Sequence, residues 1–461
     1  MRTTLRKIGV SETDFIRECD VSFKQGARFS KWVDGSDDDF YYHPLVLPVG
    51  FEEKNLAPYW LSSPNDLSFS NAVCFQEALC EGNLAPKRIT DKEFDALANY
   101  AYHLNAGMFC EFLKKHCIDV LGVEYIVDNV VGVENDDKGD IAWLLGEKTG
   151  KIYADLFIDC TGFNSLLIGK HYEVPYIDRS DVLFVDQAIA AHVPYQSPDD
   201  EVIPYTVSTG QSAGWVWDIG LQSRRGVGYV YSSSHTNADQ AEETLVNYIS
   251  ETVGRKTAES LDLRKIPIKS GHRSIFWKNN CVAVGLSAGF LEPLEASALV
   301  LVELSAQMIS DQLPSCREVM PIVAKRFNET FLYRWDRIID FLKLHYILTK
   351  RDSDSFWRDN KNPESIPDSL HELMDLWRYQ PPWDHDFSSK VEVFPAASYQ
   401  YVLYGMGYKT HLPVNNANES YEYFAKRKIE ENKRMISAAT SALPGNRELL
   451  NKIKKYGFQR V

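Results

Sequence analysis

The sequence predicts an α/β (α+β) fold with a mainly helical C-terminal part, on three observations. Cys281–Leu286 is a short apolar run of the buried-strand type, followed by a small-residue turn and then by helical periodicity. Between residues 102 and 163 a helical pattern, a hairpin and another apolar strand succeed one another. After Pro314, Val323, Phe327, Phe331, Trp335, Ile338 and Leu342 recur at the spacing of one helix face.

At 461 residues the chain is long enough for two or three domains and a sizeable core. Its 44% apolar and 25% charged residues are ordinary for a globular protein. A net charge of −14 argues against a nucleic-acid partner. The eight cysteines form no CxxC pair and several sit in apolar runs, so no metal site and a reducing, cytoplasmic setting are expected. No leader-like segment opens the chain and no apolar run of about 18 residues offers a membrane span.

The central stretch is CVAVGLSAGFLEPLEASALVLVELSAQM, residues 281–308. Ser287, Ala288 and Gly289 make the turn, and Pro293 stands where a first helical turn would begin. Leu294, Ala298, Leu301, Val302, Ser305 and Met308 then mark one helix face. Glu292 and Glu295 fall in that first turn, where acidic residues are favoured for dipole reasons alone. The N–H groups at such a helix start also suit an anion or an electron-rich ring edge.

SAGFLEPLEAS resembles the flavin-contacting segment of flavin-dependent halogenases, the family that includes the tryptophan halogenases. The resemblance maps the family's catalytic glutamate onto Glu295 and its halide-binding pair onto Ser297 and Ala298, where many members carry threonine and glycine. Ser287 and Pro293 would then lie against the cofactor. The fold implied is the FAD-binding, hydroxybenzoate-hydroxylase-like one, over residues 1–310, with a mainly helical substrate domain over 311–461. That fold normally opens with strand, GxGxxG and helix, and no such motif occurs in this sequence. The opening MRTTLRKIGVSETDF resembles an internal family segment, so a truncated first βαβ unit, through a late start, is expected.

Taken in order, Val21–Trp32 alternates, with Val21 and Phe23 on one face and Lys24 on the other. A lysine there is a solvated residue on a polar face, or the lysine that handles hypohalous acid in the family, since an amine is both donor and nucleophile. The matching R-E-C-D-V-S-F-K context makes Lys24 the first candidate for catalysis. In DDDFYYHPLVLP, His43 falls where family substrate pockets draw a histidine, and Leu45 where tryptophan halogenases carry a sandwiching phenylalanine; a histidine beside proline is also commonly structural. Residues 52–87 carry scattered Pro, Asn and Ser and read as cover for a substrate mouth.

Tyr102–Cys117 has helical spacing, Ile126–Val133 and Ile141–Leu145 read as paired strands, and Ile152–Asp159 as a strand closed by Cys160-Thr161-Gly162. This order resembles the second FAD motif, with Thr161 and Gly162 passing close to the cofactor; an ordinary strand-ending turn is the alternative. Gly214-Trp215-Val216-Trp217-Asp218-Ile219-Gly220 nearly matches the family's WxWxIP, with Gly220 in place of proline. Trp215 and Trp217 share one strand face; such a pair stacks in a core, or, on the family's pattern, lines the flavin side and separates it from substrate. Gly271 and Arg273 resemble the family's G-x-R, and Arg273 would hold a phosphate or a carboxylate. Glu419–Lys455 reads as amphipathic helix broken at Pro444-Gly445.

The resemblance implies halogenation of an electron-rich aromatic, indole or tryptophan-like, through hypohalous acid. It needs O₂, chloride or bromide, and FAD supplied as FADH₂ by a separate flavin reductase. Tyr399, Tyr401 and Tyr404 offer aromatic surface, but Pro395–Thr410 lacks the carboxylate with which free-tryptophan enzymes grip the amino acid. A substrate other than free tryptophan is therefore expected. A flavin aromatic hydroxylase and a truncated, cofactor-less binding protein stay open, as does a homodimer.

Overall fold

The computed structural model describes residues 1–63, 67–389, 392–412 and 419–459. By contact the chain groups into two units built from interleaved stretches, unlike a single cut at residue 310. The first unit takes Met1–His116, Gln187–Pro267 and Lys343–Val461, and the second takes Cys117–Asp186 and Ile268–Leu342.

In the first unit a seven-stranded sheet runs in the order Arg264–Pro267, Gln187–Pro194, Arg224–Tyr231, Gly214–Gly220, Thr206–Gln211, Gly26–Ser30, Phe40–Pro44. Every pairing is antiparallel except Thr206–Gln211 with Gly26–Ser30. Ile189, Val193, Val216, Val227 and Tyr229 turn one face toward Leu245 and Ile249 of the helix Ala238–Val253. That helix is started by Asn237, whose side chain accepts from Gln240 N at 2.9 Å, and stopped by Gly254 at φ 80°.

A second core gathers Phe15, Ile16, Val21, Phe23, Tyr100 and Tyr102 against Leu449, Leu450 and Ile453 of the terminal helix Asn446–Tyr456. At its heart lies a fully buried ion pair. Glu12 and Lys87 both have 0% exposure, with Nζ 3.0 Å from Oε2. Oε2 also accepts from Phe94 N at 2.6 Å, and Oε1 from the hydroxyls of Tyr102, at 2.7 Å, and Tyr100. Lys87 donates a second bond to the Lys92 carbonyl at 2.8 Å and lies over the Phe458 ring. Burial pushes the Tyr100 hydroxyl above its ordinary range and the Lys87 ammonium below its own, the latter against the pull of Glu12.

The second unit holds three small sheets. Phe157–Asp159 pairs in parallel with Cys281–Ala283, which pairs antiparallel with Trp277–Lys278. Val130–Asn135, Ile141–Gly146 and Gly150–Ile152 form a meander, and Tyr176–Asp178, Gly271–Arg273 and Gly289–Phe290 a third sheet. The helix Ser297–Asp311 follows, and the helix Met320–Ile347 buries Phe327, Phe331, Trp335, Ile338 and Leu342, as its periodicity predicts.

Four boundaries differ from the sequence expectation. The helix expected from Tyr102 is Ala106–Asp119, because Ala101–His103 is taken as a strand by Ser22–Lys24. The strand expected from Ile126 begins at Val130; Asp128 accepts from Lys148 N and Thr149 N and ends the ladder at Val130 and Gly146. The expected strand Ile152–Asp159 is two, Gly150–Ile152 and Phe157–Asp159, which join different sheets. The helix expected from Pro293 starts at Ser297, because Ala296 is left-handed at φ 51° and Pro293 closes a turn, accepting from Ala296 N at 3.0 Å.

Removing one partner of a fully buried pair leaves the other charge uncompensated. Glu12→Gln should therefore lower unfolding free energy by about 3–5 kcal/mol in urea titration. Glu12→Gln combined with Lys87→Met should recover part of that loss.

Candidate active site

Lys24 ends the strand Ser22–Lys24, which pairs antiparallel with Ala101–His103: Ser22 opposite His103, Phe23 opposite Tyr102, Lys24 opposite Ala101. Phe23 is fully buried, with edge-on contact to Tyr100 at 5.2 Å between centroids. Strand alternation then sends half-buried Lys24 to the other face, with Ser22 and His103. Both ends of the strand are fixed. Gln222 Nε2 donates to the Val21 carbonyl at 2.7 Å, Ser22 Oγ donates to the Gly220 carbonyl, and Gln25 N donates to the Pro204 carbonyl at 2.7 Å.

On Gly214–Gly220, Trp215 and Trp217 share a face with ring centroids 6.4 Å apart. Trp215 is 1% exposed and packs 6.2 Å from Trp32, whereas Trp217 is half-buried. The opposite face carries Asp218, held in a two-bond pair with Arg225 at 3.0 and 2.6 Å. Trp217 lies across the neighbouring strand at Gly228, where a Cβ would stand 2.1 Å from the indole and 2.7 Å from the Ile189 carbonyl.

His43 sits on Phe40–Pro44, 6% exposed, with Nε2 2.9 Å from Ser398 Oγ and Phe394 and Tyr401 beside it. Leu45 follows, half-buried, its N–H donating to Gln76 Oε1 at 2.8 Å. Tyr399, Tyr401 and Tyr404 do not offer the aromatic surface expected of them. All three are at most 3% exposed, because the helix Ala396–Gly405 is buried on every side, and the Tyr401 hydroxyl donates to the Val46 carbonyl at 2.9 Å. Glu77, unremarked in the sequence, is a buried carboxylate accepting from Ser68 and Ser70; burial raises its pKa.

In the second unit Asp159, at 0% exposure, organises the turn after its strand. Its Oδ1 accepts from Thr161 N at 3.0 Å and Thr161 Oγ1 at 2.6 Å, and its Oδ2 from Leu167 N and Ile168 N, each at 2.9 Å. Gly162, at φ 66°, has open space where a side chain would be. Ser287 is buried and donates to the Asp159 carbonyl, tying this turn to the one after Cys281–Ala283. Arg273 donates to the Val174 carbonyl at 2.8 Å and, at 3.4 Å, to that of Ser287; among the described residues it pairs with no carboxylate.

Exposed Pro293 and half-buried Glu295 lie in the turn before Ser297–Asp311, not in its first helical turn as expected. Ser297 is buried and Ala298 exposed, and no side chain caps the helix start at Ala296. The first N–H groups there keep their donor capacity. Ser297 and Ala298 line a largely apolar cavity of about 160 Å³ with Phe290, Leu291, Phe331 and Trp335.

Overpacking at a site where neither neighbour can yield costs about 1–3 kcal/mol. Gly228→Ala should lower the unfolding midpoint accordingly and shift tryptophan emission, because Trp217 must leave its strand.

The profile of the family described as tryptophan halogenase matches residues 1–419. The chain is 31% identical over 422 residues to the 7-chloro-L-tryptophan 6-halogenase KtzR of Kutzneria sp. (strain 744), covering 87% of this chain and 80% of that protein. A tryptophan halogenase from Shewanella frigidimarina NCIMB 400 superposes with a TM-score of 0.98 at 47% identity, over 100% of this chain and 88% of that one. The flavin-dependent halogenase BrvH from Brevundimonas sp. BAL3 superposes at 0.84 with 29% identity, over 98% and 91%. With its lysine strand, paired tryptophans and SAGFLEPLEAS turn, the chain belongs to the tryptophan halogenase family and is a flavin-dependent halogenase.

Proposed function

We propose that this enzyme installs chloride or bromide on an indole or another electron-rich aromatic, with Lys24 handling hypohalous acid and Glu295 receiving the proton that the ring gives up. The observation that carries the assignment of Lys24 is the strand register. Phe23 is locked into the core, so strand alternation holds the half-buried lysine on the opposite face. A fixed amine is a better donor to a small neutral oxidant than a freely moving one.

The residues of the second unit fit a flavin. Gly162 leaves space for close approach of a ligand, and the uncapped start of Ser297–Asp311 presents N–H groups and the positive end of the helix dipole. Thr161, Gly162, Ser287 and Pro293 would border the cofactor, and Trp215 and Trp217 are assigned to it on the family resemblance alone. Bound as FADH₂, which a separate reductase provides, the cofactor supplies the electrons for using O₂ to oxidise halide to hypohalous acid. Ser297 and Ala298 would hold the halide through backbone N–H groups, a role their side chains do not decide.

In the halogenation itself Lys24 donates a hydrogen bond to the hypohalous oxygen, or carries the halogen as a haloamine with loss of water. The arene takes the halogen as X⁺ and its ring proton passes to the Glu295 carboxylate. Overall, arene and hypohalous acid become haloarene and water. His43 and Leu45 are assigned to the substrate side, where His43 is oriented by Ser398. The KtzR relative is named for a chlorinated free tryptophan. Here the absence of a carboxylate from Pro395–Thr410 supports a substrate that need not be the free amino acid.

Lys24→Ala, supplied with FADH₂, O₂ and halide, should lose arene halogenation while flavin oxidation continues. Product formed at the wild-type rate would remove Lys24 from the mechanism. In the same assay bare indole should be turned over at least as well as tryptophan; a clear preference for tryptophan would overturn the substrate assignment.

A further inference from the structure

Lys24 shares its strand face with a histidine that the sequence does not single out. In the register of Ser22–Lys24 with Ala101–His103, Ser22 stands opposite His103 and Lys24 opposite Ala101. Lys24 and His103 are therefore diagonal neighbours on one face, a separation that a long side chain spans.

His103 is buried, at 5% exposure. Its Nε2 lies 2.9 Å from Thr206 Oγ1, at the first residue of Thr206–Gln211. The Gly220 carbonyl, which accepts from Ser22 Oγ, faces the ring and favours its protonation, yet Nδ1 makes no hydrogen bond of good geometry among the described residues. Burial first, and the Lys24 charge second, outweigh that carbonyl and drive the imidazole well below its ordinary range. The ring is thus neutral at pH 7.

We infer that His103 is a positioning residue for Lys24: anchored by Thr206, its ring sets where the lysine amine stands along the strand face, and the two side chains work as one unit. The inference rests on the assignment of Lys24 given above. Four strands meet at this point. Thr206 opens one and bonds to His103 at the end of Ala101–His103, while Gly220 closes the strand of the paired tryptophans and accepts from Ser22 of Ser22–Lys24. A change at His103 would therefore reach the amine directly.

The test is a double-mutant cycle with a spectroscopic arm. His103→Leu should lower kcat for arene halogenation by roughly tenfold or more, with substrate KM changed less than about twofold. FADH₂ oxidation should continue and hypohalous acid should escape to a soluble trap. His103→Gln, which can still reach Thr206, should recover part of the rate. In the Lys24→Arg background, read on its residual halogenation rate, His103→Leu should cost less than it does in wild type, because residues that act as a unit are non-additive. In the spectroscopic arm, histidine ring nitrogen shifts followed against pH should show His103 titrating at higher pH in Lys24→Met, where the repelling charge is gone.

An additive effect of the two substitutions, or a His103 titration that Lys24→Met leaves in place, would overturn the positioning role while leaving Lys24 catalytic. Wild-type halogenation by Lys24→Ala would overturn both assignments. Should His103→Leu fail to fold by circular dichroism, the titration in Lys24→Met decides alone.

Discussion

A carboxylate with no access to water, Glu12, holds the part of the molecule on which the lysine assignment depends. It accepts four hydrogen bonds, from the Lys87 ammonium, the Phe94 amide and the hydroxyls of Tyr100 and Tyr102. A buried charge is tolerable only when every lone pair is used in this way. Tyr100 precedes the strand Ala101–His103 and Tyr102 lies within it, and their rings confine Phe23 from behind. With Phe23 confined, the period of two along a strand leaves Lys24 one face to occupy. A slip of one residue would bury the lysine among aromatic rings, so the ion pair guards the register as much as the stability.

Asp159 plays the equivalent part in the second unit. It too is fully buried, and its bonds go to the backbone of the segment that follows it. That arrangement lets a short strand, Phe157–Asp159, end abruptly and still return its N–H groups to an acceptor. Ser287, in the neighbouring turn, donates to the main-chain carbonyl of Asp159, so the turns assigned to the cofactor are braced by one acidic residue. Each unit therefore has a buried acid that fixes the backbone around the groups assigned to the site.

Much of this was legible in the sequence where contacts are local. The face Phe327, Phe331, Trp335, Ile338, Leu342 follows from periodicity, and it is buried. The Trp215–Trp217 pair follows from alternation, and the rings are neighbours. What stayed hidden depends on partners distant in the chain. Tyr102 and His103 have helical spacing with the residues after them, yet a strand from residues 22–24 claims them. Glu12 and Lys87 look like ordinary surface charges until they meet. The left-handed turn at Ala296 has no glycine or asparagine to announce it, so proline alone placed the helix start four residues too early.

Two of the places where the family pattern is broken can be read physically. Gly220 replaces a proline, but what the structure uses there is the carbonyl, which takes the Ser22 hydroxyl and faces His103. Proline and glycine carry the same carbonyl, so the bond to the lysine strand survives the change. The glycine is also closely hemmed: a Cβ would stand 3.2 Å from the Ile203 amide and 3.3 Å from the Tyr195 hydroxyl. Ser297 and Ala298 replace threonine and glycine in the same spirit. The groups an anion would meet are the uncapped N–H groups of the helix start, set by the turn at Ala296 and indifferent to those side chains. At Gly220 the backbone supplies the interaction, and at Ser297 and Ala298 it would do so for the proposed anion, so neither change removes it.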